Sequence, residues 1–411
     1  MKEIITGLDL GSNSIKLIVG EIFNNELYVL SSVDIPSSGI KEGVIIDEEK
    51  ASDSLKEAFK KTEEILGIKI NRVVLTVPPF SAVFIKGEGY TDINREDKHI
   101  TGDDITRVLQ ASVYNRISPN LELVSVTPRD FIINEEEVVK DPKGKEATRL
   151  TVNSILCAVP KRNIDPAINL LEKHGIKVVD LAFGGIADYY EFRNNDMLLK
   201  TNAVINIGED KTEISIINED AIVGVDVLDL AGRNIDRDIA YIYDITKEEA
   251  KTLKEDFALA IKSKASTSET IEIITKDNKN LKINQYEISE IVYSRLREIL
   301  ENAKKSINLL TKSEISYIII TGGSTEIEGF SKVYEEIFGK DAKANEVNNL
   351  GVRNNKYSSA LGIIKLYREK LKFRERLAST MSEADQDLLF NEKKKNNEGL
   401  LGKVYSYFFD N

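Results

Sequence analysis

The chain of 411 residues is poor in the residue types that bind metals or nucleic acids. It has two histidines and one cysteine, and its 56 lysines and arginines are outnumbered by 68 aspartates and glutamates. The net charge of −12, with both signs interspersed, argues against nucleic-acid binding, and the scarcity of histidine argues against a His-rich metal site. The lone Cys157 lies in an apolar run and is expected to be a buried small side chain in a reducing cytosol.

Long apolar runs are missing as well. No stretch approaches the ~20 apolar residues that a membrane-crossing helix needs, and the first residues do not resemble a signal peptide. The composition therefore predicts a cytosolic protein, and its 41% apolar residues suffice for the cores of two or three domains.

The last thirteen residues, 399–411, form the most distinctive segment of the chain. Wound as a helix, they place six apolar side chains on one face: Leu400, Leu401, Val404, Tyr405, Phe408 and Phe409. The polar stretch before them, 375–398, has the composition of a flexible linker. A flexible linker before an aromatic-rich amphipathic helix favours a helix that lies in a membrane surface. The alternative is a helix that folds back onto the body of the protein.

Membrane binding by one such tail is expected to be weak. Burying six apolar side chains gains roughly 9–18 kcal/mol. Ordering the segment costs on the order of 1–2 kcal/mol per residue, which offsets most of that gain. The main electrostatic attraction to an anionic surface comes from Lys393, Lys394 and Lys395. Stable attachment needs several tails acting together, so a membrane-binding role implies a polymer.

Two segments, one at the start and one in the middle of the chain, share a strand, a glycine-containing turn and a second strand. Their alignment places Asp9 on Asn206, Gly11 on Gly208 and Ser14 on Lys211. This repeat predicts a duplicated domain with a cleft between its halves. Residues 84–160 differ from the segments on either side in their predicted elements, which are several strands around one clear helix. We interpret them as an inserted subdomain.

The glycine turns carry residue types that suit a polyphosphate. Glycine permits close backbone approach, and successive N–H groups form an anion-binding nest. Asp9, at the end of an apolar strand, can hold a hydrated Mg²⁺, and Lys16 can reach a phosphate. A third turn, Thr321–Ser324, also follows an apolar strand, and open α/β sheets bind ligands at the carboxyl ends of their strands. Taken alone, a turn of this kind is most often an ordinary loop.

The three turns follow one another in an order that resembles the nucleotide-binding superfamily of actin, heat-shock chaperones and sugar kinases. Asp9–Lys16 looks like its first phosphate loop, Asn206–Glu213 like its second, Ile319–Ser324 like its adenosine motif and Lys356–Gly362 like its connecting helix. Within this superfamily the chain resembles the FtsA family of bacterial division proteins. The FtsA-like segments are Ile100–Ile105, Asp141–Gly144, Arg149–Leu150, Asp238–Ala240 and the amphipathic tail.

The resemblance implies an α/β, actin-like fold with two lobes of the duplicated ribonuclease H-like type. An FtsA-type α+β subdomain is inserted in the first lobe, and a linker and an amphipathic helix end the chain. The expected boundaries are 1–83, 161–200 and 356–374 for the first lobe, 84–160 for the insertion, 201–355 for the second lobe with a smaller subdomain at about 230–305, 375–398 for the linker and 399–411 for the membrane helix.

The resemblance also implies a site for ATP and Mg²⁺, with Asp9 contacting the metal through water. The expected nucleotide-binding residues are Gly11, Ser12, Asn13, Ser14, Lys16, Gly208, Glu209, Asp210, Lys211, Thr212, Gly232, Lys254, Gly322, Gly323 and Ser324, with Lys254 at the ribose.

The second phosphate loop departs from the family pattern. Asn206 stands where an aspartate is usual, and it lacks the carboxylate that would organise the metal and the attacking water. Glu209 and Asp210 place negative charge near the phosphates, and Lys211 is expected to offset one of them. Slow or absent hydrolysis is therefore expected, and no catalytic residue is assigned.

The function implied by the resemblance is that of an adaptor. It would bind ATP, polymerise and tether filaments of FtsZ to the inner membrane face at the division site, and other division proteins would bind residues 84–160. Arg295 and Arg297, on a predicted helix, are candidates for contacting the acidic tail of FtsZ. The alternative is that they form Glu–Arg pairs on a solvated helix face. Two rival functions are a small-molecule kinase, disfavoured by Asn206, and an actin-like platform for pilus or secretion assembly.

Overall fold

A computed structural model describes residues 2–339, 345–349 and 351–396, with side chains described as far as residue 390. The predicted membrane-binding side chains, Leu400, Leu401, Val404, Tyr405, Phe408 and Phe409, lie outside these residues. Among the described helices, none combines the length and the apolar content that crossing a bilayer requires.

Strands and helices alternate along most of the chain. The strands are β1 (Glu3–Leu10), β2 (Ser14–Phe23), β3 (Glu26–Pro36), β4 (Ile40–Lys41), β5 (Val44–Ile45), β6 (Arg72–Val77), β7 (Val83–Asp92), β8 (Leu121–Ile133), β9 (Glu137–Val139), β10 (Arg149–Pro160), β11 (Lys177–Phe183), β12 (Thr201–Ile207), β13 (Thr212–Asn218), β14 (Ala221–Leu228), β15 (Thr270–Ile274), β16 (Asn280–Asn284) and β17 (Tyr317–Thr321). The α-helices are α1 (Glu48–Leu66), α2 (Gly102–Val113), α3 (Asp165–Lys173), α4 (Gly184–Phe192), α5 (Gly232–Tyr243), α6 (Lys247–Thr252), α7 (Gln285–Leu310), α8 (Phe330–Phe338), α9 (Ser358–Phe373) and α10 (Glu383–Asn396).

The first lobe is built on a five-stranded sheet with the order β11-β6-β1-β2-β3. β1 pairs antiparallel with β2 and parallel with β6, so it lies inside the sheet. Its apolar side chains Ile4, Ile5 and Leu8 have no exposed surface, because α9 packs on β1 and β6 and α1 packs on β2 and β3.

The second lobe repeats the strand–turn–strand unit of the first. Its sheet has the order β14-β13-β12-β17, with β12 antiparallel to β13 and parallel to β17. The register pairs Asp9 with Lys16 in the first hairpin and Asn206 with Glu213 in the second. The expected alignment of the two hairpins is therefore confirmed, and Glu213 is the counterpart of Lys16.

Residues 83–160 form a separate antiparallel sheet with the order β7-β10-β8-β9, against which α2 packs. α2 begins with a capping box, in which the Thr101 N–H donates a hydrogen bond of 2.9 Å to the Asp104 carboxylate. The core between α2 and this sheet also takes in Phe373, the last residue of α9. The insertion is therefore α+β, as expected, and it shares its core with the first lobe's last helix.

The helices α4 and α9 pack against each other at very short distance. A Cβ added to Gly362 would lie 1.8 Å from the carbonyl oxygen of Ala187, so only glycine permits this close packing. The packing brings two hydroxyls of α9 to a carboxylate of α4. Ser358 and Ser359 donate hydrogen bonds of 2.7 and 2.8 Å to Asp188.

The expectation that residues 375–398 form a flexible linker is wrong for their described part. The Thr380 N–H donates a hydrogen bond of 2.8 Å to a backbone carbonyl of β1. The Gln386 side chain bonds both the N–H and the carbonyl of Lys2, at 2.9 and 3.1 Å. Leu389 of α10 has no exposed surface. Composition does not reveal this docking, because much of it depends on backbone groups at the other end of the chain.

Candidate functional site

A cleft of about 420 Å³ lies between the lobes, where the two hairpin turns face each other. It is lined by Asp9 and by most of the predicted nucleotide-binding residues: Gly11, Ser12, Asn13, Ser14, Lys16, Gly208, Glu209, Asp210, Lys211, Lys254, Gly322, Gly323 and Ser324. Thr212 and Gly232 lie behind this lining. Thr212 Oγ1 donates a hydrogen bond of 2.6 Å to the carbonyl of Leu230, which ties the second turn to the end of β14.

Asp9 is held between a cation and a hydroxyl at the end of β1. Lys16 Nζ lies 3.1 Å from Asp9 Oδ2, and Thr76 Oγ1 donates a hydrogen bond of 2.7 Å to Asp9 Oδ1. Mg²⁺ typically takes one or two protein carboxylates and completes its shell with waters and phosphate oxygens. The fixed Asp9 carboxylate in the cleft lining therefore fits an Mg²⁺ that arrives with a polyphosphate.

The two acidic residues of the second turn are neutralised by cations of their own lobe. Arg233 Nη1 lies 2.9 Å from the Asp210 carboxylate. Arg233 and Lys251 each approach the Glu209 carboxylate to 3.9 Å. The neutralising cations are thus Arg233 and Lys251, and not Lys211 as expected from sequence. Their proximity reduces the repulsion that these carboxylates would exert on a phosphate.

The short hairpin formed by β4 and β5 reaches across the cleft to the second turn. At its tip, the Glu42 N–H donates a hydrogen bond of 3.4 Å to Asp210, and the Glu42 carboxylate lies 3.3 Å from Lys211 Nζ. Lys211 also pairs with Asp229. The first lobe therefore touches the second phosphate turn directly, and Lys211 is already engaged by two carboxylates.

Lys254 forms a buried ion pair in the wall of the cleft. Its Nζ lies 2.7 Å from Asp236, and the two side chains are 3% and 2% exposed. Lys254 stands in a π-helical turn, Leu253–Phe257, and such turns often occur at functional sites. A Cβ on Gly232 would lie 3.5 Å from Lys254 Nζ and 2.8 Å from Ser324 Oγ. Gly232 thus makes room for Ser324 of the predicted adenosine motif, and Lys254 lies beside it.

Two carboxylates at the cleft are missing from the residues predicted by sequence: Asp188, which has no exposed surface, and Glu213, which is half-buried in the cleft lining. Burial raises the pKa of Asp188 to about 6 and the pKa of Glu213 to about 7. Hydrogen bonds oppose these shifts, among them one of 2.7 Å that Asn206 Nδ2 donates to Asp188. In the sequence, only the alignment of Glu213 with Lys16 indicated that Glu213 belongs to the site. Nothing in the sequence indicated Asp188, because its hydrogen-bond partners on α9 come from a distant part of the chain.

A second groove, of about 350 Å³, lies between α5 and α7. It is lined by Asp238, Tyr241, Ile242, Glu290, Ile291, Ser294, Arg295 and Glu298. Tyr241 is 88% exposed and Ile242 is 56% exposed, so α5 presents apolar surface beside the groove. Arg295 reaches from α7 to within 2.6 Å of Asp238 on α5. Arg297 instead pairs at 2.9 Å with a glutamate of its own helix, so of the two predicted arginines Arg295 is the one in the groove lining.

Solved structures share this architecture at low sequence identity. The PilM-PilN type IV pilus biogenesis complex is similar with a TM-score of 0.59 at 15% identity, covering 88% of this chain and 97% of that one. MreB5 of Spiroplasma citri bound to ADP is similar with a TM-score of 0.56 at 16% identity, covering 90% and 97%. Together with the repeated hairpins and the cleft between two lobes, these similarities define an actin-like protein, and the expected fold is confirmed.

Sequence comparison shows which family of actin-like proteins the chain matches. The model of the cell division protein FtsA matches residues 203–362, and the model of the SHS2 domain inserted in FtsA matches residues 83–157. The cell division protein FtsA of Enterococcus hirae is 25% identical over 360 residues, or 87% of this chain and 81% of that protein. The one from Bacillus subtilis strain 168 is 25% identical over 364 residues, or 88% and 83%. The chain belongs to the FtsA family, as the motifs predicted.

Proposed function

We propose that the protein is a cell-division adaptor that binds ATP, polymerises and tethers FtsZ filaments to the cytoplasmic face of the membrane at the division site. The observation that carries this proposal is the family match, which extends over both the second lobe and the inserted subdomain. The similar proteins are themselves named cell division proteins. Other division proteins would dock on the inserted subdomain.

In this proposal the cleft between the lobes takes ATP with Mg²⁺. Lys16 and the backbone N–H groups of the two turns would bind the phosphates, and Asp9 would hold the metal through water. The metal would neutralise phosphate charge. Lys254 and Ser324, which both adjoin Gly232, would meet the ribose. The similar fold of MreB5 was solved bound to ADP, which supports a nucleotide in a cleft of this kind.

ATP would act by favouring one arrangement of the lobes. The lobes already touch across the cleft, through Glu42 with the second turn and through Asn13 with Lys251. A ligand that contacts both lobes binds their closed arrangement more tightly and shifts the population toward it. The closed arrangement would be the one that polymerises, so the adaptor role does not require hydrolysis.

The membrane anchor would be the apolar face of residues 399–411. We expect the full chain to sediment with vesicles that contain anionic lipid, and a chain ending at residue 396 to stay in the supernatant. Val404→Asp should weaken sedimentation at least about tenfold, because it places a charge on the face that enters the lipid. The matched control is Ser406→Asp, which adds the same charge on the other side of the helix. Equal losses for the two variants would contradict the anchor.

The groove between α5 and α7 would bind the acidic tail of FtsZ. Arg295→Ala is expected to weaken binding of an FtsZ tail peptide at least about tenfold, because arginines that line such grooves often dominate binding. Arg297→Ala is the matched control and should change the Kd by less than about twofold, since Arg297 lies outside the groove lining. Fluorescence anisotropy of a labelled peptide measures both. An unchanged Kd for Arg295→Ala would place the peptide elsewhere.

The rival functions are less well supported. The likeness to the PilM-PilN complex, at 15% identity, shows the fold alone and does not favour an assembly platform for pili. A small-molecule kinase would phosphorylate a hydroxylated substrate, so measuring ATP turnover against a panel of such compounds tests it directly.

A further inference from the structure

Glu213, the counterpart of Lys16 in the second hairpin, stands where it can act on a bound polyphosphate. The register places Lys16 opposite Asp9 and Glu213 opposite Asn206, and both Lys16 and Glu213 line the cleft. Because the two hairpins are related by internal symmetry, the cation Lys16 of the first and the carboxylate Glu213 of the second line the same cleft.

The Glu213 carboxylate is fixed through one of its oxygens. Oε1 accepts a hydrogen bond of 2.9 Å from the Gly185 N–H and one of 3.3 Å from the Ser215 hydroxyl. A Cβ on Gly185 would lie 2.9 Å from Oε1, so glycine makes room for this contact. Oε2 faces Gly184, which is a residue of the cleft lining. A Cβ added to Gly184 would lie 3.5 Å from Glu213 Oε2. Within the described chain no donor lies in hydrogen-bond range of Oε2.

The other carboxylates of the cleft lining already have partners. Each pairs with a lysine or arginine or accepts a hydrogen bond from a backbone N–H: Asp9, Glu42, Glu209, Asp210, Glu255 and Glu326. Asn206 has no carboxylate, and its amide nitrogen is turned toward Asp188. Among the described residues of the lining, Glu213 and Glu326 are each held by a backbone N–H and have no cationic partner. Of these two, Glu213 is the one that pairs with Asn206 in the second hairpin, and it keeps one oxygen free to accept a proton.

We propose that Glu213 orients and deprotonates the water that hydrolyses a bound nucleoside triphosphate, in place of the carboxylate that Asn206 lacks. The water oxygen forms a bond to the γ-phosphorus while the bond from that phosphorus to the β–γ bridging oxygen breaks. The bridging oxygen keeps the electron pair and leaves with the diphosphate. The proton of the water passes to Glu213 Oε2 and from there to solvent.

This inference rests on the proposed nucleotide site, so binding and turnover are measured separately on the full-length protein with Mg²⁺. Glu213→Gln keeps an acceptor for the Gly185 N–H but cannot take a proton. It should slow single-turnover ATP hydrolysis at least about 100-fold while changing the Kd for a non-hydrolysable ATP analogue less than about threefold. Glu219→Gln, the same substitution just beyond the far end of β13, is the matched control and should hydrolyse ATP at the wild-type rate.

The possible results separate this inference from the proposed function. If the wild-type protein binds the analogue but does not hydrolyse ATP, or if Glu213→Gln hydrolyses it as fast as wild type, the inference is overturned and the nucleotide site stands. Failure of the wild-type protein to bind the analogue would overturn the proposed nucleotide site itself. If Glu213→Gln does not fold, Glu213→Asp is measured instead. Slower hydrolysis with unchanged affinity for the analogue supports the inference, and hydrolysis at the wild-type rate overturns it.

Discussion

A chain that ends at residue 372 is expected to lose roughly 4–8 kcal/mol of unfolding free energy relative to a chain that ends at residue 396. The shorter chain lacks Phe373, whose ring lies 5.9 Å from that of Phe131 in the core of the insertion. It also lacks Leu389, which is fully buried. Removing a fully buried Phe costs about 3–5 kcal/mol, so the partly buried Phe373 accounts for roughly 2–3 kcal/mol, and removing a buried Leu costs about 2–5 kcal/mol. Typical domains are stable by only about 5–15 kcal/mol, so the shorter chain should be largely unfolded.

Hydrogen bonds add to this loss, because residues 373–390 join the inserted subdomain to β1 of the first lobe. The Glu375 carboxylate accepts a hydrogen bond of 2.7 Å from the Gly102 N–H at the start of α2, where negative charge is favoured. A few residues on, Thr380 bonds to β1. A deletion that is meant to remove the membrane tail alone must therefore keep this segment, which is why the vesicle experiment ends the chain at residue 396.

Two neighbouring leucines of α10 provide a matched test of this docking. Leu389 has no exposed surface, whereas Leu388 is 54% exposed. Leu389→Ala should cost about 2–5 kcal/mol and Leu388→Ala less than about 0.5 kcal/mol, as measured by urea unfolding of the full chain. Equal effects of the two variants, or equal stability of the chains ending at residues 372 and 396, would show that the docking contributes nothing.

The free energy of unfolding, measured without nucleotide, is expected to fall by roughly 4 kcal/mol between pH 5 and pH 8. Burial raises the pKa of Asp188 from 3.8 to about 6 and that of Glu213 from 4.5 to about 7. A raised folded-state pKa means that the native state binds the proton more tightly than the unfolded state. The resulting stability is fully present below the unfolded pKa and is lost as the pH rises through the folded pKa. Most of the fall should therefore lie between pH 5 and pH 7.

Replacing one of the two carboxylates tests the origin of this pH dependence. Glu213→Gln cannot ionise, so the fall in stability from pH 5 to pH 8 should shrink to roughly 1–2 kcal/mol, the part due to Asp188. Glu219→Gln should leave the fall unchanged, because Glu219 lies just beyond the far end of β13 and its pKa is lowered by hydrogen bonding to Lys140. Stability that is flat, or that rises from pH 5 to pH 8, would contradict the assignment.

The predictions that succeeded rest on local patterns. A buried strand, a glycine turn and a second strand are contiguous in sequence, so the two hairpins and the alignment of Asp9 with Asn206 follow from the chain alone. The insertion at residues 84–160 was also recognised from a local pattern, the strands and the one helix predicted within it. The turn residues that line the cleft were found because they lie within these units.

The predictions that failed concern partners that are distant in sequence. Arg233 and not Lys211 neutralises Asp210, and residues 375–390 dock on β1 although their composition is typical of a linker.

By itself, the sequence determined the duplicated actin-like architecture, its insertion and the glycine turns that face the cleft, because these depend on residues that are neighbours along the chain. Only the tertiary structure decided which charges are neutralised, which carboxylates are buried beside the cleft and where the C-terminal segment lies. The burial of Asp188, for example, depends on α9, and composition and periodicity carry no record of such long-range contacts. The energetics of the site are therefore set by packing between segments that are far apart in the chain.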